Sequence, residues 1–347
     1  MNKYPQWLND AISPPDSQAM SAARARQNQL TKPPGSLGQL ESIAVRFAGF
    51  QGREKPSLNK VLVRVFAADH GIAAKGVSAF PQAVTAQMLQ NFARGGAAVC
   101  VLAQSLNADF RAVNVGCIHE IDPQISVVHN PIASGTADFS RQCAMSQAQL
   151  IQALEVGAQQ TSSADLFIGG EMGIGNTTSA AAIFAAVYQL APEAITGRGT
   201  GVDDQTLARK TALIAQALEL HAAQLHQPLS ILQCLGGFEI AALVGAFIAS
   251  AQAQTPVLVD GFIATSAAAL ALAINPSIEP WLLYAHRSDE QGHALALQQV
   301  QAEPLLQLNM RLGEGSGAVL ASNIIRQALL LHSHMATFAE AGVSDAD

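Results

Sequence analysis

Two carboxylates stand in settings where chemistry is conceivable, and glycine brackets both. Glu171 lies in the segment 168–186, IGGEMGIGNTTSAAAIFAA, with glycines at 169, 170, 173 and 175. Residues 166–168 read as the end of a buried strand, and Asn176-Thr177-Thr178 opens an alanine-rich helix. A strand, a glycine loop and a helix start together make a seat for a phosphate. Glycine lets the backbone come close, and the N–H groups of the first helical turn point at the anion. A carboxylate inside such a loop repels phosphate unless it faces another part of the ligand, which suggests chemistry rather than anion storage. The alternative is a tight strand-to-helix turn, since the loop lacks the Lys-Ser/Thr ending of a P-loop and carries no dinucleotide fingerprint.

Glu314 sits in Gly313-Glu314-Gly315-Ser316-Gly317. On an exposed turn it would be ordinary. In this otherwise apolar stretch it could lose solvation and gain the raised pKa that suits a general base near neutrality. The segment 197–210 joins a Gly-Arg-Gly-Thr-Gly loop to a helix, where Asp203 and Asp204 could serve as caps and Lys210 could reach an anion or lie along the surface. The acidic pair does not match a phosphoribosyl-diphosphate loop, so no metal is expected there. Ser78, Phe80, Gln87 and Met88, with Thr85, offer an aromatic ring, a thioether and polar tips. That mix suits a flat heteroaromatic ligand, or merely begins an amphipathic helix. His70, His286 and His293 with Asp289 match no zinc spacing, and His70 reads as a structural hydrogen-bonding residue. No Ser-His-Asp order or G-x-S-x-G elbow supports a hydrolase.

The elements that must position these groups are short apolar runs ending in glycine or polar residues. They occupy 61–71, 110–116, 165–173, 231–239, 256–262 and 281–290, and helical stretches alternate with them. The pattern predicts an α/β fold with a mostly parallel sheet of Rossmann-like β-α units. Asp69, His70, Asn114, Glu171, Glu239, Asp260 and the group His286 to Asp289 collect at the C-terminal ends of the runs. Open α/β sheets bind their ligands along that edge. Residues 17–29 and 41–50 read as helices, and the chain returns to helix after about 301. The expected organisation is a large α/β domain over 50–305 and a small helical domain made by 1–49 with 306–347, which carries the Glu314 loop. The stretch 122–140 reads as loop.

Of the 347 residues, 49% are hydrophobic and 13% charged, so a large core is available. The net charge of −7, with no basic stripe, argues against nucleic-acid binding, which needs clustered Lys and Arg. The apolar runs are too short for a membrane span, and the N-terminus has no signal-peptide core. Cys100, Cys117, Cys143 and Cys234 form no C-x-x-C pair and read as reduced thiols of a cytoplasmic protein.

Taken together, the segments resemble the nicotinate-nucleotide–dimethylbenzimidazole phosphoribosyltransferase family of cobalamin biosynthesis. The blocks are KPPGSLGQLE, FAADHGIAAKGVSAFPQAVTAQML, GGEMGIGNTTSAAA, GRGTGVDD, LGGFEIAALVGA, VDGFIATSAA, YAHRSDEQGH and LNMRLGEGSGA, in order over about 32–320. The region 118–160 carries no matching motif.

The resemblance implies transfer of 5-phosphoribosyl from nicotinate mononucleotide to 5,6-dimethylbenzimidazole. Attack at C1′ with inversion would give α-ribazole 5′-phosphate and nicotinate. It assigns Glu314 as the base and Ser78, Phe80, Gln87 and Met88 to the benzimidazole slot. Gly173, Gly175, Asn176, Thr177, Lys210 and Ser288 would contact phosphate and ribose, with Glu171 on the ribose or nicotinate side. It also implies a homodimer. The departing nicotinate carries a positive ring nitrogen that cleavage neutralises, so the chemistry calls for no metal or cofactor. Two other readings stay open: the same transfer to another base such as a purine, and a non-enzymatic nucleotide-binding module. A dehydrogenase fails for want of G-x-G-x-x-G after the first strand.

Overall fold

The computed structural model describes residues 4–199 and 201–344. Thr200, within the glycine loop at 197–201, lies outside the described residues.

The chain opens with a 3-10 turn at Gln6–Asn9 and two helices, α1 (Ser17–Gln27) and α2 (Gln39–Gln51). Then come β1 (Val61–Ala68), α3 (Ala83–Ala93), α4 (Ala98–Ser105), β2 (Asp109–Gly116), β3 (Val128–His129), α5 (Gln147–Gln159) and β4 (Leu166–Met172). They are followed by α6 (Asn176–Tyr188), α7 (Pro192–Ile195), α8 (Asp204–Leu220), α9 (Pro228–Leu235) and α10 (Phe238–Gln252). The chain ends with β5 (Val257–Val259), α11 (Phe262–Ile274), β6 (Leu282–Tyr284), α12 (His293–Gln299), α13 (Ser316–His334) and α14 (Phe338–Ala341).

Among the described residues the strands form one six-stranded sheet, every pair parallel, in the order β3-β2-β1-β4-β5-β6. The strand order reverses between β1 and β4, which opens a crevice at their C-terminal ends. β1 is buried along its whole length, as a central strand covered on both faces requires. α10 packs on β1, β2 and β4 and carries α5 on its outer side. Gly157 of α5 lies against the Ala242 backbone and Gly245 of α10 against that of Leu154, so these two helices approach backbone to backbone. A Cβ on Gly169 would strike Leu243 and Phe247 of α10, whereas one on Gly170 would strike the backbone at Glu314. Successive strand residues point to opposite faces, so α10 and the start of α13 lie on opposite sides of β4.

α2 is a shared wall. Ile43, Phe47 and Phe50 join the main core, where Phe50 stacks on Trp281 at 5.1 Å, while Val45 and Ala48 meet Ala23 and Met20 of α1. The two ends of the chain are tied together. Arg26 donates to the carbonyls of His332, Ser333 and Met335, and Leu30 bridges Thr337.

Three expectations need correction. The run 231–239, read as a strand, is the end of α9 and the start of α10. Pro228 opens α9 at its first turn, and Ile231, Leu232, Cys234 and Leu235 are buried at helical spacing. The stretch 122–140 is not all loop, since β3 adds an edge strand there. Finally, not all four cysteines are free: Cys143 and Cys234, 91 residues apart, are joined as a disulfide, while Cys100 and Cys117 remain thiols. Ala144 N–H donates to the Cys234 carbonyl at 3.0 Å and Met145 N–H to that of Gln233 at 3.1 Å, which lays the two cysteines side by side.

Candidate active site

Two glycine loops meet above the C-terminal ends of β4 and β5, where Gly313 lies against Glu171. The first follows β4. Gly175, at φ +101°, caps α6 in a conformation that favours glycine, and Asn176 begins the helix. The Asn176 side-chain amide donates to Glu171 Oε2. Burial, reinforced by Glu239 and Asp260 nearby, pushes the Glu171 carboxyl well above the usual range. A carboxyl that keeps its proton further up the pH scale repels phosphate less, which eases the conflict posed by its place in an anion loop.

The second loop carries Glu314 into α13. Gly313, Glu314 and Gly315 have φ of +84°, +65° and +82°. For a glutamate the left-handed region is unfavourable, by about 1–3 kcal/mol for a residue held in such a region, so the surroundings must enforce it. Two features do so. Gly170 has no Cβ, and the Glu314 backbone rests directly on β4 there. Asp260, just after β5, accepts from Gly315 N–H at 3.2 Å and Ala318 N–H at 2.7 Å and so pins the start of α13. Glu314 is only 7% exposed, and its Oε2 has no hydrogen-bond partner among the described residues. Burial first and the Asp260 charge second lift its pKa to about 7. Asp260 is itself raised by burial, against the pull of His286, whose Nε2 is 3.7 Å away, and of the backbone donors.

On the far side of α6, Lys210 Nζ donates to Thr177 Oγ1 at 3.2 Å and to the Gly197 carbonyl at 2.9 Å. Burial brings its pKa down to about 8. Lys210 thus ties the 197–201 loop to the helix start, and Glu290 holds the same loop by accepting from Gly199 N–H at 3.0 Å. Ser288 is positioned by His293: Ser288 N–H donates to Nδ1 at 2.8 Å, so Nε2 carries the ring proton and faces Thr265 Oγ1 at 3.0 Å. Burial drops the His293 pKa to about 3 and keeps the ring neutral. His70 is likewise engaged, with Nε2 2.6 Å from Glu239 Oε1 and both side chains fully buried. Neither histidine is free to serve as a ligand without losing these contacts.

A cavity of about 110 Å³ lies between the loops. It brings together Glu171, Gly173, Asn176, Thr177, Ser288 and Glu314, residues drawn from separate stretches of the sequence. Gly175 caps the adjoining helix, and Lys210 touches the cavity through Thr177. Ser78, Phe80, Gln87 and Met88 do not line it. Ser78 and Phe80 precede α3, Gln87 and Met88 lie on that helix, and Phe80 and Gln87 are exposed. This segment is nevertheless anchored at the site. Thr85 Oγ1 accepts from Ile174 N–H at 3.3 Å, and the Gln82 amide donates to the His70 carbonyl at 2.9 Å. The cavity also shows Arg311 and Glu290, which were not among the expected site residues, and Asp260 stands behind its wall. Arg311 was open to detection, three residues before Glu314 in the same loop. A larger cleft of about 620 Å³ lies between α2 and β6, where Arg46 and Glu279 are its charged groups besides Glu303 at the rim. The convergent carboxylates and helix N-terminus make the smaller cavity the candidate site of chemistry.

Comparison with known proteins identifies the family of the chain. A phosphoribosyltransferase family model, DBI_PRT, matches residues 12–343. A nicotinate-nucleotide–dimethylbenzimidazole phosphoribosyltransferase of Xanthomonas campestris pv. campestris (strain B100) is 52% identical over 346 residues, covering 98% of this chain and 99% of the relative. One of Pseudomonas putida (strain W619) is 52% identical over 349 residues with the same coverage. The crystal structure of the enzyme so named from Thermus thermophilus superimposes with a TM-score of 0.89 at 41% identity, over 95% of this chain and 100% of that one.

Proposed function

Because the chain belongs to the nicotinate-nucleotide–dimethylbenzimidazole phosphoribosyltransferase family, we propose that phosphoribosyl changes partner in the cavity between the Glu171 and Glu314 loops. The enzyme moves 5-phosphoribosyl from nicotinate mononucleotide to 5,6-dimethylbenzimidazole for cobalamin synthesis. One benzimidazole nitrogen attacks C1′ while Glu314 takes the proton from the other. The pair of the broken C1′–N bond leaves with nicotinate and neutralises its ring nitrogen. Attack opposite the departing base inverts C1′ and gives α-ribazole 5′-phosphate.

The observation that carries this reading is Glu314 itself: buried, with an unpartnered oxygen and a pKa of about 7. A base so tuned is about half ionised at neutral pH and still basic enough to accept a proton. The α6 N-terminus with Gly173, Gly175, Asn176 and Thr177, together with Lys210, Ser288 and Arg311, receives the 5′-phosphate and ribose. Glu171 faces the ribose or nicotinate side. Ser78, Phe80, Gln87 and Met88 hold the benzimidazole at the mouth. The reading keeps a large domain at 50–305, a small helical one from 1–49 and 306–347, and a cytoplasmic homodimer. Among the described residues no helix is long and apolar enough to cross a membrane.

The test incubates the protein with nicotinate mononucleotide and 5,6-dimethylbenzimidazole and follows products by chromatography and mass. α-Ribazole 5′-phosphate and nicotinate in equal amounts are expected. Donor binding without product would overturn the acceptor, and purines offered in its place would then identify another base.

A further inference from the structure

Away from the cavity, four donor atoms from three segments meet just below the surface. They are Cys143 Sγ, Cys234 Sγ near the end of α9, His221 Nδ1 at the C-terminus of α8, and Gln224 Oε1 in the following turn. None of the four residues lines the cavity. His221 Nε2 is 2.8 Å from the Phe139 carbonyl, which can only accept, so Nε2 carries the ring proton. Nδ1 therefore presents its lone pair to the sulfurs, 3.8 Å from Cys143 Sγ. A backbone carbonyl fixing the tautomer through the far nitrogen is the usual support of a metal-binding histidine. Gln224 Oε1 lies 3.3 Å from Cys143 Sγ and 3.2 Å from Cys234 Sγ.

We propose that the reduced Cys143–Cys234 pair, with His221 and Gln224, binds one thiophilic divalent cation of the zinc class. A tetrahedral zinc with Zn–S of about 2.3 Å and Zn–N of about 2.0–2.1 Å sets its sulfur-to-nitrogen and sulfur-to-oxygen edges near roughly 3.5 Å. The 3.8, 3.3 and 3.2 Å in the structure stand within a few tenths of that value. The sulfurs are joined in the structure and must part to about 3.8 Å, the S···S edge of the same tetrahedron. A dithiol reductant supplies two electrons and two protons to the disulfide and leaves two thiols. The cation then displaces both protons and forms two metal–sulfur bonds, with no further electron transfer. His221 and Cys234 are buried while Cys143 and Gln224 reach the surface, which gives the ion a way in.

The centre clips the 137–145 segment to the ends of α8 and α9. That segment lies on the active-site edge, where Thr136 N–H donates to the Asp69 carbonyl and Gly71 packs on Ala137. Beyond Cys234 the chain turns through Gly236-Gly237 onto the His70–Glu239 pair. The same cysteines thus fasten one junction either as a disulfide or as a metal-bound dithiolate.

The test titrates Co²⁺ into the full chain after reduction and removal of reductant under nitrogen. One equivalent should produce a thiolate-to-cobalt charge-transfer band in the near ultraviolet with the visible bands of a tetrahedral site, and Zn²⁺ should displace it. Protein oxidised with a disulfide-forming reagent should give neither. The Cys143→Ser/Cys234→Ser variant should lose the charge-transfer band, and His221→Ala should weaken binding by at least roughly 10–100-fold. Reduced wild type that yields no such band overturns the proposal without recourse to any variant. A band that survives in the double variant, shown folded by circular dichroism, also overturns it.

Discussion

At the scale of single residues the site rests on one charge placed beside another. Asp260 pins the loop through Gly315 and Ala318 and at the same time lifts the Glu314 pKa, second only to burial. Glu314 as the proposed base works when unprotonated, so kcat/KM should fall as pH drops through about 7, where Glu314 takes up its proton. Asp260→Asn keeps an acceptor for the backbone but removes the charge, so this limb should move to lower pH. A rate–pH profile checks it, and a limb that stays in place or moves up contradicts the assignment. Glu314 was legible in the sequence because glycines bracket a carboxylate in an apolar stretch. The role of Asp260 was not, because the N–H groups it holds lie 55 and 58 residues further along the chain. The Cys143–Cys234 pairing was hidden for the same reason.

At the scale of elements, the Glu314 loop exists in this form because β4 offers it a bare backbone. Gly170→Ala would place a methyl against the carbonyl of Glu314 and the N–H of Gly315. The α13 start must then shift. Overpacking of this kind costs about 1–3 kcal/mol, and a displaced base costs turnover as well. Thermal unfolding and kcat should fall together, and a variant with both unchanged would show that the contact does not position Glu314. Strands and helices were largely readable from periodicity, since apolar runs at 61–71 and 165–173 are β1 and β4. The run at 231–239 misled because four apolar residues and a double glycine look alike at a strand end and at a helix-to-helix turn. Only the buried spacing after Pro228 distinguishes them. The segment proposed for benzimidazole shows the limit of motif reading: Gln87 and Met88 lie on α3, and their distance from the cavity depends on packing that spacing alone does not give.

At the scale of the molecule, the order β3-β2-β1-β4-β5-β6 reverses between β1 and β4, and the cavity opens beside that point, lined from the ends of β4, β5 and β6. The edge where the cavity opens was legible from those strand ends. The strand order was not, because parallel pairing joins segments far apart in sequence. Phe80, Ile118, Leu308 and Leu312 are exposed on loops near this edge, which suits coverage by a second copy. Light scattering should give twice the 36.2 kDa chain mass, and a monomer at micromolar concentration would contradict the homodimer. The central claim is that Glu314 is the base of phosphoribosyl transfer. Its most direct test measures, in Glu314→Gln, nicotinate mononucleotide binding by calorimetry and α-ribazole 5′-phosphate formation in a single turnover. Binding kept within a few-fold while formation falls by roughly 10²–10⁴-fold is the predicted result. Formation at the wild-type rate with donor bound would contradict it.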